Sequence, residues 1–234
     1  MLAVFKKEMR SYFTSVIGYV FLVLYLAAGG AIFCYTTLFS MSANVTTFYS
    51  YMVVLSAVIL PLLTMKSFSE ERKIKTEQLL LTAPVSITSM VLGKFLAAYA
   101  MYAGCMVFNT LYFFILEPYA VVKYAILFGN LFAILLVGAG FIAIGLFVSS
   151  LTENQLAAAI GTMAIILTFI LLGVIASAIP SYGVRLVLEF VSILSRFGYF
   201  SNGYFDIASL VYYISLAAIF VYLTIRVYDR RRRD

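Results

Sequence analysis

Between Arg10 and Lys66 the chain carries no Asp, Glu, Lys or Arg, and the same holds from Phe95 to Leu116, Tyr124 to Thr152, Asn154 to Val184 and Ile207 to Ile225. A helix crossing a bilayer needs about 20 predominantly apolar residues. The first interval is long enough for two such helices, and Ser40-Met41-Ser42-Ala43-Asn44-Val45-Thr46-Thr47 supplies the turn between them. Six spans are predicted, at about 16–39, 46–66, 90–116, 123–149, 155–178 and 206–227. With 64% of its 234 residues hydrophobic and 11% charged, the chain cannot cover a globule with polar surface, and the spans leave no room for a sizeable soluble domain. The fold class is therefore an all-α integral membrane protein, a single transmembrane domain over 1–234.

Lys and Arg in the short loops set the orientation. With the N-terminus inside, the inner side holds Lys6, Lys7, Arg10, Lys66, Arg72, Lys73, Lys75, Lys94, Arg226 and Arg230 to Arg233, and the outer side only Lys123, Arg185 and Arg196. That bias places both termini in the cytoplasm. The net charge of +6 then reflects a membrane surface, and the Arg230–Arg233 tail reads as a contact with membrane lipid, not with nucleic acid. The apolar run after Arg10 exceeds the 7–15 residues usual for the core of a signal peptide and reads as a retained span. Ahead of it, residues 1–13 form an interfacial helix, with Leu2, Phe5, Met9, Tyr12 and Phe13 on one face and Lys6, Lys7 and Arg10 opposite. Cys34 and Cys105 fall at different depths and read as small packing residues.

Histidine is absent, which removes His-based metal sites, Ser-His and Cys-His catalysis and histidine proton relays. Ion-coupled transport would be expected to place an ionisable residue at depth, and the charge-free intervals offer none. Asn109, Thr110, Asn130 and Thr168 are polar residues within spans, suited either to a translocation path or to contacts between helices. Pro61 is expected to kink the second span. No G-x-x-x-x-G-K-[ST] occurs, so the chain does not itself cradle ATP phosphates, and no catalytic, cofactor-binding or metal-binding residue is assigned. Glu117, Glu153, Glu189 and Asp206 are the acidic residues near span ends, and no motif makes them a lipid-modifying active site. From Pro180 to Phe205 the chain is too interrupted by Arg185, Glu189, Arg196 and Asn202-Gly203 to span, and too apolar for a free loop; it reads as two short outer-leaflet helices joined near Ser195 to Tyr199.

The long charged segment lies between the second and third spans, over 67–89. A helix-forming run including Glu70, Glu71, Arg72, Thr76, Glu77, Leu79, Leu80 and Leu81 is ended by Pro84, with Ser86 or Thr88 able to cap the next helix. The three leucines make an apolar knob on a charged loop, a surface that calls for a partner.

From Ser67 to Phe95 (SFSEERKIKTEQLLLTAPVSITSMVLGKF) the sequence resembles the ABC-2 type permease subunits. Glu70-Glu71-Arg72, Thr76-Glu77, Leu79-Leu80-Leu81, Thr82-Ala83-Pro84 and Gly93-Lys94 carry the resemblance in order. Ser11 to Tyr19 and Ile144 to Gln155 extend it, toward the permeases of gliding-motility-type ABC transporters. Family members typically have Gly where this chain has Lys75. The resemblance implies an interfacial helix, six spans, a cytoplasmic coupling helix between spans 2 and 3, and a re-entrant element before span 6. It also implies a permease subunit of an ATP-driven exporter in the bacterial cytoplasmic membrane, energised by a separate cytoplasmic ABC ATPase that holds the ATP and Mg. Further partners would be a second permease chain, identical or paralogous, and an extracytoplasmic accessory subunit. ATPase coupling would fall to the Glu70–Leu81 helix and Pro84, with a secondary contact at Glu153, Asn154 and Gln155. The uncharged spans and 17% aromatic content suit a hydrophobic or amphipathic cargo. The same charged loop would serve a non-transporting membrane anchor that recruits a cytoplasmic protein, so the loop by itself leaves both readings open.

Overall fold

A computed structural model describes residues 1–76, 86–119, 123–201 and 206–233. Among the described residues the chain is helical and has no strand. The helices are α1 (Leu2–Thr14), α2 (Val16–Phe33) continued by a π-helical stretch Cys34–Phe39, α3 (Val45–Thr64), α4 (Lys66–Lys73), α5 (Ile87–Leu116), α6 (Tyr124–Leu151), α7 (Gln155–Ala178), α8 (Tyr182–Val191), α9 (Ile193–Ser201) and α10 (Ile207–Arg233). Six of the helical stretches are long and apolar enough to cross a membrane, beginning at Val16, Val45, Ile87, Tyr124, Gln155 and Ile207.

Capping residues set the helix starts. Ser15 is extended and its hydroxyl accepts the Gly18 N–H, so the chain breaks between α1 and the first span. Asn44 and Ser86 cap α3 and α5 in the same way. Asp206 takes the N–H groups of Ala208 and Ser209 at the start of α10.

The fourth span, α6, is the hub, packed against α3, α4, α5, α7, α9 and α10. Burial follows from that position: 61% of the apolar window of the second and fourth spans is buried, against 22% for the first, which lies at the edge. On α2 the buried residues Gly18, Phe21, Tyr25 and Gly29 recur at helical spacing, while Val16, Tyr19, Val20, Val23 and Leu24 point outward. In lipid there is little hydrophobic drive to bring apolar helices together, so packing and hydrogen bonds do so. Tyrosine hydroxyls tie successive spans: Tyr25 to Ser56 at 2.7 Å, Tyr49 to Thr110 at 2.7 Å, and Tyr102 to the Ile134 carbonyl at 2.9 Å. Gly145 is a point of closest approach. A Cβ there would lie 2.2 Å from the Thr64 hydroxyl, so α6 and α3 meet at a distance only glycine permits.

Both termini lie on one face, hereafter the terminal face, where α1, α4 and the last turns of α10 gather. Pro61 is buried inside α3, and α4 follows after a single residue, Met65, whose backbone is itself helical. The helix expected from Glu70 to Leu81 is not continuous. It ends at Lys73, and Lys75 has φ 58°, in the left-handed region that stops a right-handed helix. This is the position where the resembling permeases carry Gly, and the backbone conformation is one glycine adopts without a Cβ penalty.

On the opposite face, the join between the two short helices falls at Ser192, not between Ser195 and Tyr199. Ser192 is extended, and its hydroxyl accepts the Ser195 N–H at 3.2 Å, which starts α9 there. The Tyr212 and Tyr213 hydroxyls of α10 hold the Val191 and Ile193 carbonyls on either side of the break. Of these two helices, α8 exposes Tyr182, Val184, Leu186, Val187 and Phe190. Ile193 and Phe197 of α9 are buried, and α9 packs on α3, α6 and α7. Arg196 is buried between the rings of Phe190 and Tyr212, its Nε donating to the Phe190 carbonyl near the end of α8.

Candidate functional site

The charged groups of the terminal face form two connected knots. The first centres on Lys94. This residue belongs to the third-span helix and its side chain is 2% exposed, so that span is not free of charge as its apolar run implied. An ammonium has three N–H donors, and each has an acceptor: the Ser67 carbonyl at 2.7 Å, Glu71 Oε1 at 2.9 Å and Glu8 Oε1 at 3.0 Å. The Phe68 ring lies 5.1 Å away. Burying an ammonium costs several kcal/mol unless close partners offset it, and here the partners come from α1 and α4. Lys7 adds a second cation to Glu71 at 3.4 Å.

Gly93 explains how α1 reaches this point. A Cβ at Gly93 would sit 2.9 Å from the Val4 side chain, so any larger residue would push α1 away and draw Glu8 from Lys94. The Gly93-Lys94 pair thus has a physical reading, one residue admitting the helix and the next fastening it. Three residues of the expected apolar face of α1, Phe5, Met9 and Tyr12, turn toward the core. Glu8 and Tyr12 are buried, while Leu2 and Phe13 of the expected apolar face are exposed. Burial raises the Tyr12 phenol above its ordinary value, so it stays neutral.

The second knot joins α4 to the end of α6. The Ser149 hydroxyl accepts the N–H groups of Phe68 and Ser69, both at 3.1 Å, and donates to the Met65 carbonyl at 3.0 Å. Because α4 has no side-chain cap of its own, Ser149 of the fourth span serves as that cap from outside. Arg72 donates to the Leu151 carbonyl at 3.0 Å and pairs with Glu153 at 2.9 Å. Arg231 of α10 donates to the neighbouring Ser150 carbonyl at 2.7 Å, and Phe68 packs on Tyr228 with ring centroids 4.8 Å apart. Two guanidinium groups from different segments therefore occupy the orphan carbonyls at the C-terminus of α6, where the helix dipole favours cations.

The two segments assigned to ATPase coupling are thus in direct contact through Arg72 and Glu153. Glu70 pairs with Lys66 at 3.6 Å, and Thr76 donates to the Glu71 carbonyl at 3.3 Å. Asn154 caps α7 by accepting the N–H groups of Leu156 and Ala157, and Gln155 is the first residue of that helix. Glu77, Leu79, Leu80, Leu81 and Pro84 lie outside the described residues.

The polar residues of the spans fall on three helices, α5, α6 and α7. Asn109 is buried and donates to the Cys105 carbonyl of its own helix, and Asn130 donates to Ile126 likewise. Thr110 joins the third span to the second through Tyr49, whereas Thr168 is exposed and bonds back to Ala164. Cys34 and Cys105 are free thiols.

Glu8, Lys94 and Arg231 are charged members of these knots that the sequence did not assign to a site. Glu8 is a lone acid amid Lys6, Lys7 and Arg10, and Lys94 is a lone cation within a predicted span. Both departures from their surroundings were visible signals.

Six bilayer-length helices, one of them the hub of the packing, with charge gathered on the terminal face, define a multi-pass membrane protein. The model for the ABC-2 family transporter proteins matches residues 2–232, so the chain belongs to that family, the membrane permease components of ABC transporters. No curated protein matches the chain.

Proposed function

We propose that the chain is the permease subunit of an ATP-driven exporter in the bacterial cytoplasmic membrane, with both termini cytoplasmic. It would be energised by a separate ABC ATPase docking on α4 and the residues that follow it. The observation that carries this reading is the junction of Arg72 with Glu153 and the Leu151 carbonyl, backed by Ser149. A push on the exposed surface of α4 is delivered directly to the end of the central span. Glu153 and Asn154, exposed between α6 and α7, with Gln155 at the start of α7, serve as the secondary contact. ATP and Mg reside on the ATPase, and a rigid-body shift of α4 against α1 and α6 passes to the spans. Two permease chains pair, an extracytoplasmic subunit completes the complex, and the short helices α8 and α9 form its re-entrant element. The tyrosine-rich packing between the spans suits a hydrophobic or amphipathic cargo, such as a lipid, lipid-linked glycan, peptide or drug.

The test is purification of the complex in lipid discs, with mass spectrometry of the bound subunits and small molecules, followed by transport in reconstituted vesicles. An ATPase should co-purify. Glu70→Lys with Glu153→Lys should abolish substrate-stimulated ATP hydrolysis while leaving membrane insertion intact. A preparation without an ATPase, or unchanged stimulation in the double variant, overturns the assignment.

A further inference from the structure

Beyond the last charge-free residue of the sixth span, α10 continues past Arg226 and carries its arginines along a cavity of about 740 Å³. Phe147, Leu223 and Val227 form its apolar side, and Arg226, Arg230 and Arg231 its basic side, with Asp229 also in the lining. The guanidinium groups are held, not loose, on two of the three. Arg226 donates to the Tyr222 hydroxyl at 2.6 Å and stacks over that ring, and Arg231 is fixed by the Ser150 carbonyl and the Tyr228 ring. Arg230 is exposed.

We propose that this cavity, between the terminal ends of α6 and α10, is a binding site for one anionic phospholipid. The headgroup phosphate would sit against Arg226 and Arg230, and the first acyl segment along Leu223, Val227 and Phe147. Charge decides the headgroup, since three cations face one carboxylate, and guanidinium forks match phosphate oxygens. Position decides the source. Residues 207–225 carry no charge, so Arg226 lies where the apolar span gives way to the headgroup region, and Leu223 is 37% exposed one turn before it. A free phosphate would use the basic side alone and leave the apolar side uncovered. The site is distinct from the α4 surface offered to the ATPase, and it holds for either orientation of the chain in the membrane. Its test therefore stands apart from that of the transport assignment.

The purified full-length chain, in discs of phosphatidylcholine with or without phosphatidylglycerol, is taken into native mass spectrometry and thermal unfolding. The wild type should retain phosphatidylglycerol in preference to phosphatidylcholine and unfold at higher temperature with it. Arg226→Gln with Arg230→Gln should lower that preference by about tenfold or more. Arg231 is left intact because it caps α6. Lys6→Gln with Arg10→Gln, on the same face but away from the cavity, should keep the preference. Equal retention of the two lipids by the wild type, or an undiminished preference in the Arg226 and Arg230 variant, overturns the proposal. Stabilisation by inorganic phosphate equal to that by phosphatidylglycerol overturns it as well, because the apolar side would then contribute nothing.

Discussion

The Lys94 Nζ lies 2.9 Å from Glu71 Oε1, so a cation buried in the third span is neutralised by a carboxylate from the charged helix that follows the second. Glu8 completes the arrangement from the N-terminal helix at 3.0 Å. Three segments remote in sequence share one buried charge cluster, and its energetics are those of a network in which no member is independent.

Removing the cation is the most damaging change there. Lys94→Met leaves Glu8 and Glu71 facing each other with the largely exposed Lys7 as their remaining cation, and the expected loss is about 3 kcal/mol of stability. Glu8→Gln should cost less, because Glu71 and the Ser67 carbonyl still hold the ammonium. Thermal unfolding of the detergent-solubilised variants checks the order. If Glu8→Gln proves as harmful as Lys94→Met, the cluster is not centred on Lys94.

Ser149→Ala strips the external cap from α4. The N–H groups of Phe68 and Ser69 and the Met65 carbonyl lose a shared partner, which costs about 1–3 kcal/mol where the groups stay buried. Amide hydrogen exchange should speed up over 66–73 far more than over the middle of α6, and Ser149→Thr should restore protection. Uniform change along the chain would indicate general loosening instead.

Lys75→Gly should stabilise. An L-residue in the left-handed region carries a penalty of roughly 1–2 kcal/mol, and glycine returns most of it less its own entropy in the unfolded chain. A gain of about 1 kcal/mol in thermal unfolding is expected, with no gain from Lys75→Ala, which removes the charge and keeps the Cβ. Equal behaviour of the two would point to the charge.

At the start of α10, the Asp206 carboxyl is held below its ordinary value, chiefly by the hydrogen bond from the Ser209 hydroxyl. A carboxyl depressed on folding contributes stability that is present above the unfolded value and lost as pH falls through the folded one. The contribution of Asp206 is therefore complete at neutral pH and fades only below about pH 4. Asp206→Ala should cost about 1 kcal/mol at pH 7 and less at pH 3, while Asp206→Asn, which keeps the cap, should show a smaller loss. Unfolding curves at the two pH values give the comparison.

The all-helical, six-span character was legible because the charge-free intervals are long and the residues that interrupt them are polar. The break at Ser40 to Asn44 and the cap at Ser86 could be read for the same reason, each resting on local chemistry. The knots were less legible, since their members meet across 23 positions in Lys94 with Glu71, 79 in Arg72 with Leu151 and 86 in Lys94 with Glu8, and spacing along a chain does not reveal such meetings. Arg72 and Glu153 could be assigned to one surface by resemblance, yet the carbonyl that Arg72 holds belongs to the backbone and leaves no mark in the sequence. The join at Ser192 was not legible because a single serine among apolar neighbours does not announce that it stops one helix and caps the next.

The grip of Arg72 and Arg231 on the end of α6 bears on how such a sequence can drift. Both acceptors, at Ser150 and Leu151, are main-chain oxygens, which every amino acid supplies. The side chains at those two positions are thus free to vary as far as this contact is concerned, whereas each arginine is answerable for its bond alone. Selection on the joint falls on the reaching partners, and the site they reach for survives almost any substitution that leaves the helix standing.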